Sequence, residues 1–204
     1  MSDRSFVRFG GLAAMLLALT SWLAVGAYNV LARGGEDEVG MEMFGLLVAL
    51  AAAWSLFAIV AVHWTFRGLG EAWSFFAMLV GLAAAFATMT AALFPIAFTR
   101  AVLGRPLDPA QPFPVSVAAT DPLGVMSLGA TGLYLLILAL LLWRGGMPRR
   151  LAALALIGGA ALVAGFFAAL GAQASAVTLA DVIGAAVAAP FFWIWIGVLL
   201  RRRA

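Results

Sequence analysis

Arg100 to Pro122 reads RAVLGRPLDPAQPFPVSVAATDP, and how this stretch folds decides how the rest of the chain is read. Pro106, Pro109, Pro112, Pro114 and Pro122 fall within it, five of the eight prolines present. Each lacks a backbone N–H and drives its predecessor into an extended conformation, so the stretch is expected neither to form a helix nor to cross a membrane. Three long apolar segments precede it and three follow. The expected fold is therefore all-α: a polytopic transmembrane six-helix bundle, three plus three around a long proline-rich outer loop at 100–122.

Composition sets the class. The chain is 65% hydrophobic and 10% charged, where ordinary soluble domains hold roughly 45–50% and about 25%. Such a chain cannot cover itself with polar surface in water, so lipid is part of its solvent. The 204 residues read as a single integral membrane domain, 1–204. Cysteine is absent, which removes disulfides, thiolate metal sites, iron–sulfur clusters and cysteine nucleophiles together. All twelve basic residues are arginine, and the bias toward Ala, Gly, Val, Leu and Arg matches GC-rich prokaryotic coding. The high pI suggests nucleic acid at first sight, but the net charge is only +3 and the arginines flank apolar segments. The lipid bilayer is the expected partner, and nucleic acid is not.

The expected spans are 9–31, 43–62, 72–99, 124–143, 151–170 and 182–200. Each is long enough, at about 1.5 Å per residue, to cross a hydrocarbon core of roughly 30 Å. Arg4 and Arg8 before the first span also suit a signal peptide, but the apolar run exceeds an h-region of about 7–15 residues, so a retained helix is expected. Asp121-Pro122 reads as an N-cap with proline at the first helical position. Arg144-Gly-Gly-Met-Pro148-Arg149-Arg150 reads as a tight basic turn. Thr178-Leu-Ala-Asp181 fits a capping box opening the sixth span, with a functional outer carboxylate at Asp181 as the alternative.

Counting arginines gives the topology. With both termini cytoplasmic, Arg4, Arg8, Arg67, Arg144, Arg149, Arg150 and Arg201 to Arg203 lie inside, nine of the twelve. Only Asp3 and Glu71 oppose them, whereas the outer segments carry seven acids against Arg33, Arg100 and Arg105. The positive-inside rule then places the chain, multi-pass, in a prokaryotic cytoplasmic (inner) membrane with both termini cytoplasmic. Trp64, Trp73, Trp143 and Trp195 fall near the inner ends, where an aromatic belt is expected.

Residues able to carry chemistry are few. His63 is the only histidine and cannot alone build a usual zinc or bis-histidine haem site, so an interfacial role beside Trp64 is expected. The spans carry almost no ionisable groups, which argues against ion-coupled transport. No catalytic residue, cofactor site or metal site is expected, and the chain does not read as an enzyme. Neutral polar residues do occur at membrane depth. Thr88, Thr90, Pro95, Thr131 and Tyr134 form the candidate intramembrane cluster; its four polar members, with Ser55 and Ser127, are expected to hydrogen-bond between helices, with a lined cavity as the alternative. Small residues four apart, at Ala161 and Gly165, Gly165 and Ala169, and Gly184 and Ala188, allow close helix approach. Pro95 and Pro190 each sit in the last helix of a half, but little else repeats between the halves.

At Met147-Pro-Arg-Arg-Leu-Ala, then Leu156-Ile-Gly-Gly, then Pro190-Phe-Phe-Trp-Ile-Trp-Ile-Gly-Val-Leu-Leu-Arg, the chain resembles an uncharacterised family of small six-helix bacterial membrane proteins, a domain of unknown function. The resemblance covers mainly the last 60 residues and implies a six-helix membrane fold. That family has no established activity, so it implies no site residue. The functional expectation is a non-catalytic accessory or interaction subunit, with other membrane protein subunits as partners. The alternative is a passive transporter or small-molecule binding membrane protein using the Thr88–Tyr134 cluster.

Overall fold

Helix accounts for nearly all of the described chain, and the reason is the solvent. Inside hydrocarbon a backbone N–H or C=O has no water to bond, so every group must be satisfied within its own segment. The structure, a computed structural model, describes residues 3–31, 38–103, 125–171 and 173–203. Among these, α1 (Asp3–Gly26) ends in a π turn (Ala27–Leu31), α2 is Glu38–Phe66, and α3 is Glu71–Leu103. A π stretch (Val125–Ala130) leads into α4 (Thr131–Arg144), and α5 is Arg149–Leu170. Then α6 (Ala174–Asp181), a π stretch (Val182–Ala188) and α7 (Ala189–Arg203) run on as one rod, because Asp181 and Ala189 keep right-handed helical dihedrals at both joints.

Five of these helical segments are long and apolar enough to cross a membrane: Arg4–Leu31, Val39–Leu69, Glu71–Phe94, Arg149–Leu170 and Ser175–Arg203. The remaining one, Leu128–Arg144, is shorter over its described part. The helices outrun the expected apolar limits, since α1 starts at Asp3 rather than at 9 and α2 fills 38–66 rather than 43–62. Helical hydrogen bonding does not stop where hydrophobicity stops. Likewise Arg100 to Leu103, expected to belong to the loop, continue α3. The rest of the proline-rich loop, with the expected Asp121-Pro122 cap, lies outside the described residues.

Each helix packs on the next in sequence, and α7 returns to α1, so the segments close into a circuit. Two seams of that circuit are made backbone to backbone. Gly11 of α1 meets Gly197 of α7, where a Cβ on either would sit 2.6 to 2.7 Å from the other's carbonyl oxygen. Gly132 of α4 meets Gly159 of α5 in the same reciprocal way, at 2.8 Å. No larger residue fits at either crossing, and the close approach replaces the hydrophobic driving force that lipid cannot supply. Inside the circuit, alanines such as Ala14, Ala18, Ala58, Ala61, Ala152 and Ala155 interleave with Leu135, Leu142, Phe192 and Ile196 in one core.

The turn between α4 and α5 is set by its two glycines and proline. Gly146 takes φ 65, in the left-handed region. Its N–H reaches the Trp143 carbonyl at 3.4 Å, and the Met147 N–H reaches the Leu142 carbonyl at 3.1 Å. That pair of bonds is a Schellman ending, which satisfies carbonyls a helix terminus leaves open. Pro148 (φ −51, ψ 121) then holds the extended entry to α5.

One end of the molecule collects arginine. Gly10 lies against Ala61, Gly11 against Arg201, Leu69 against Gly145, and Arg203 reaches both Met147 and the Phe66 ring. These contacts bring the start of α1, the α2–α3 turn, the α4–α5 turn and the end of α7 together. The nine arginines assigned to one side by sequence therefore share one end of the structure.

Candidate functional site

A polar group is most informative where it is deepest. His63 is half-buried, five residues before the middle of the α2–α3 turn, and Ser74 is as far beyond it. The hairpin brings them face to face, with His63 Nδ1 and Ser74 Oγ 2.9 Å apart. Ser74 is 3% exposed. Across from them, on α4, Tyr134 is 2% exposed, and its ring stacks on Trp193 of α7 with centroids 6.1 Å apart and planes 15° apart. Gly81 on α3 leaves the room the ring needs, since a Cβ there would lie 2.9 Å from Tyr134 Cδ2.

The three polar side chains line one crevice, completed by Ile59, Val62, Ala77, Met78 and Leu138. Tyr134 Oη is buried there without a hydrogen-bond partner. The crevice has no room for a water molecule. A buried hydroxyl without a partner costs of the order of 1–3 kcal/mol, so it calls for an explanation. The Ser74–His63 pair has the spacing of a nucleophile and its base, but the serine sits in a space narrower than water, out of reach of an acyl substrate. What the arrangement can do chemically is hold one small hydrogen-bonding group, provided the crevice opens.

The expected cluster is divided by the structure. Tyr134 belongs to this crevice. Thr90 faces outward and donates to the Phe86 carbonyl of its own helix at 2.9 Å, while Thr88 and Thr131 are half-buried and line neither this crevice nor the groove described below. The backbone at Pro95 is helical, and its side chain lies outside the described residues, as does that of Ser127. Ser55, expected to bond between helices, instead donates to the Ala52 carbonyl one turn back at 2.6 Å. An own-helix carbonyl is always within reach of a serine or threonine, and it satisfies the hydroxyl without any neighbour.

Asp181 also departs from expectation. The helix opens at Ala174, so Thr178 and Asp181 lie inside it and the expected capping box does not form. Asp181 is exposed at the joint between α6 and the π stretch. His63 does sit beside Trp64 near the end of α2, where Arg67 stacks 4.1 Å from the Trp64 ring. No three His, Asp or Glu side chains converge on a common point among the described residues.

Pro190 has a structural role that its sequence position did not reveal. Lacking an N–H, it cannot bond the Ala186 carbonyl four residues back. The Trp22 indole of α1 donates to that carbonyl instead, at 2.9 Å, and Trp22 also meets Phe191 edge-on at 5.4 Å. The proline, the π stretch and the tryptophan form one cross-brace between α1 and the α6–α7 rod.

Fold and site together define an α-helical membrane protein with several helices able to cross the bilayer. Comparison with known protein families, with curated proteins and with solved structures gives no match.

Proposed function

We propose that the chain is a non-catalytic integral membrane protein, an accessory or interaction subunit of a larger membrane assembly. In this reading six segments cross a prokaryotic cytoplasmic membrane, three on each side of the proline-rich outer loop, with both termini cytoplasmic. The observation that carries it is the filled interior. Small residues bring the helices into backbone contact at Gly11–Gly197 and Gly132–Gly159, and the Tyr134–Trp193 stack fills the space between α4 and α7. A protein whose centre is closed acts through its outer faces. The one most suited to a partner is α3, where Trp73, Phe76, Leu79 and Phe86 project outward.

Gentle extraction from native membranes, native mass measurement and identification of bound chains test this. A stoichiometric partner is expected. A lone monomer or homodimer that persists in milder detergents and under crosslinking sinks the proposal.

One observation favours a second reading, small-molecule binding or passive transport: the unpartnered Tyr134 hydroxyl beside His63 and Ser74. Tyr134→Phe separates the two. It leaves a subunit assembly intact but abolishes binding of a small hydrogen-bonding ligand in the crevice.

A further inference from the structure

Outside the core, α5 and α7 leave an apolar groove of about 440 Å³ between them, lined by Leu154, Phe191, Ile194, Trp195 and Val198. The four residues from α7 fall at i, i+3, i+4 and i+7, a single helical face. Continuing that face by four residues reaches Arg202, while Arg201 beside it lies against Gly11 of α1. On α5, stepping back four residues from Leu154 reaches Arg150, next to Arg149. The groove is therefore apolar along its length and ends, about one helical turn on, at guanidinium groups from both walls.

These arginines are exposed. Arg203 is turned away, donating to Met147 Sδ at 3.2 Å and lying 5.8 Å from the Phe66 ring centroid. The only acid between 125 and 203 is Asp181, about 30 Å from Arg201 along the same rod at 1.5 Å per residue. Among the acids of the other helices, Glu71 opens α3 and Asp3 opens α1, so neither stands on a wall of the groove. The positive charge at the groove's mouth is thus not neutralised by its own walls.

We propose that this groove is a binding site for an anionic phospholipid. One acyl chain lies along Phe191, Ile194, Trp195 and Val198, and the headgroup phosphate is held between Arg150 and Arg202. Arginine suits this because its planar fork bonds phosphate oxygens in pairs. Arg149, next to Arg150, adds positive charge at the same mouth, so a diphosphate lipid such as cardiolipin binds more tightly than phosphatidylglycerol, and phosphatidylcholine least. The site is independent of whether the chain proves to be a subunit or a transporter.

The test is native mass spectrometry of the full-length protein, stripped of lipid in detergent and titrated with each of these three lipids. Arg150→Gln/Arg202→Gln is expected to lower cardiolipin affinity by about tenfold or more. Arg4→Gln/Arg67→Gln removes the same charge from the same end and is expected to leave affinity within about twofold. Val198→Trp fills the groove without changing charge and is expected to weaken cardiolipin but not soluble glycerophosphate. Equal losses in the two double variants would show a general surface-charge effect and overturn the site. So would glycerophosphate binding as well as the lipid, or a protein chain co-purifying in the groove and excluding lipid. Circular dichroism of each variant reports whether it has folded.

Discussion

Trp22 and Tyr134 each carry one polar atom into an apolar bundle, and the structure treats them differently. Trp22 lies on an outward face, 37% exposed, yet its indole N–H has a partner. Tyr134 is at the centre, and its hydroxyl has none. In the first region Pro190 cannot give the Ala186 carbonyl the N–H that residue 190 of an α-helix would, and a side chain from another helix donates to it. In the second region the phenol reaches no donor or acceptor in the crevice that it shares with His63 and Ser74. The hydroxyl there stands apart from the backbone's needs, which marks it as the group most available for a ligand. A polar side chain inside a membrane bundle is explained either by the backbone defect it repairs or by something it is waiting to bind.

That contrast can be broken by substitution, with unfolding followed in detergent or lipid. Tyr134→Ala deletes the stack on Trp193 and leaves a void beside Gly81, so it is expected to destabilise by about 3–5 kcal/mol. Trp22→Phe keeps an aromatic ring near Phe191 but removes the indole donor to the Ala186 carbonyl, with an expected cost of about 1–2 kcal/mol. In a Pro190→Ala background residue 190 regains an N–H, and that cost should fall toward zero. Full additivity of the two changes in a double-mutant cycle would disprove the brace. Ser74→Ala removes the partner of His63 Nδ1 and is expected to cost about 1 kcal/mol. The smallest effect sharpens the contrast most: Tyr134→Phe removes an unpaired buried hydroxyl while keeping the stack, so stability should stay level or rise by up to about 1 kcal/mol. A loss above about 1 kcal/mol would mean that the hydroxyl is bonded in the membrane and that the crevice is occupied.

Parts of the candidate site are legible in the amino-acid sequence. Tyr134 stands out there as a phenol within an apolar run. The pairing of His63 with Ser74 follows from the hairpin, because both are equally far from the middle of the Arg67–Gly70 turn, yet Ser74 gives no other signal. Thr88, Thr90 and Thr131 cannot be sorted by sequence, since which face of α3 or α4 turns inward depends on neighbours from distant parts of the chain. The start of α6 falls earlier than its capping pattern suggests for a related reason. Gln173 to Asp181 is weakly apolar and carries that pattern at Thr178, but the helix opens at Ala174 and lies along α5, with Ala180 docked on Gly165.

Composition and periodicity by themselves determined the helical membrane class, the order of the apolar segments and the arginine-rich end. These follow from the solvent: long apolar runs must be helical in lipid, and charge must stay at their edges. Only the tertiary structure decided which small residues matter. The chain holds 22 glycines, and nothing local distinguishes Gly11 or Gly197, which lie at opposite ends of the sequence. The same holds for Trp22 and Pro190, whose partnership arises when α7 closes the circuit against α1. A missing N–H is written in the sequence, but its replacement comes from whichever helix packs alongside.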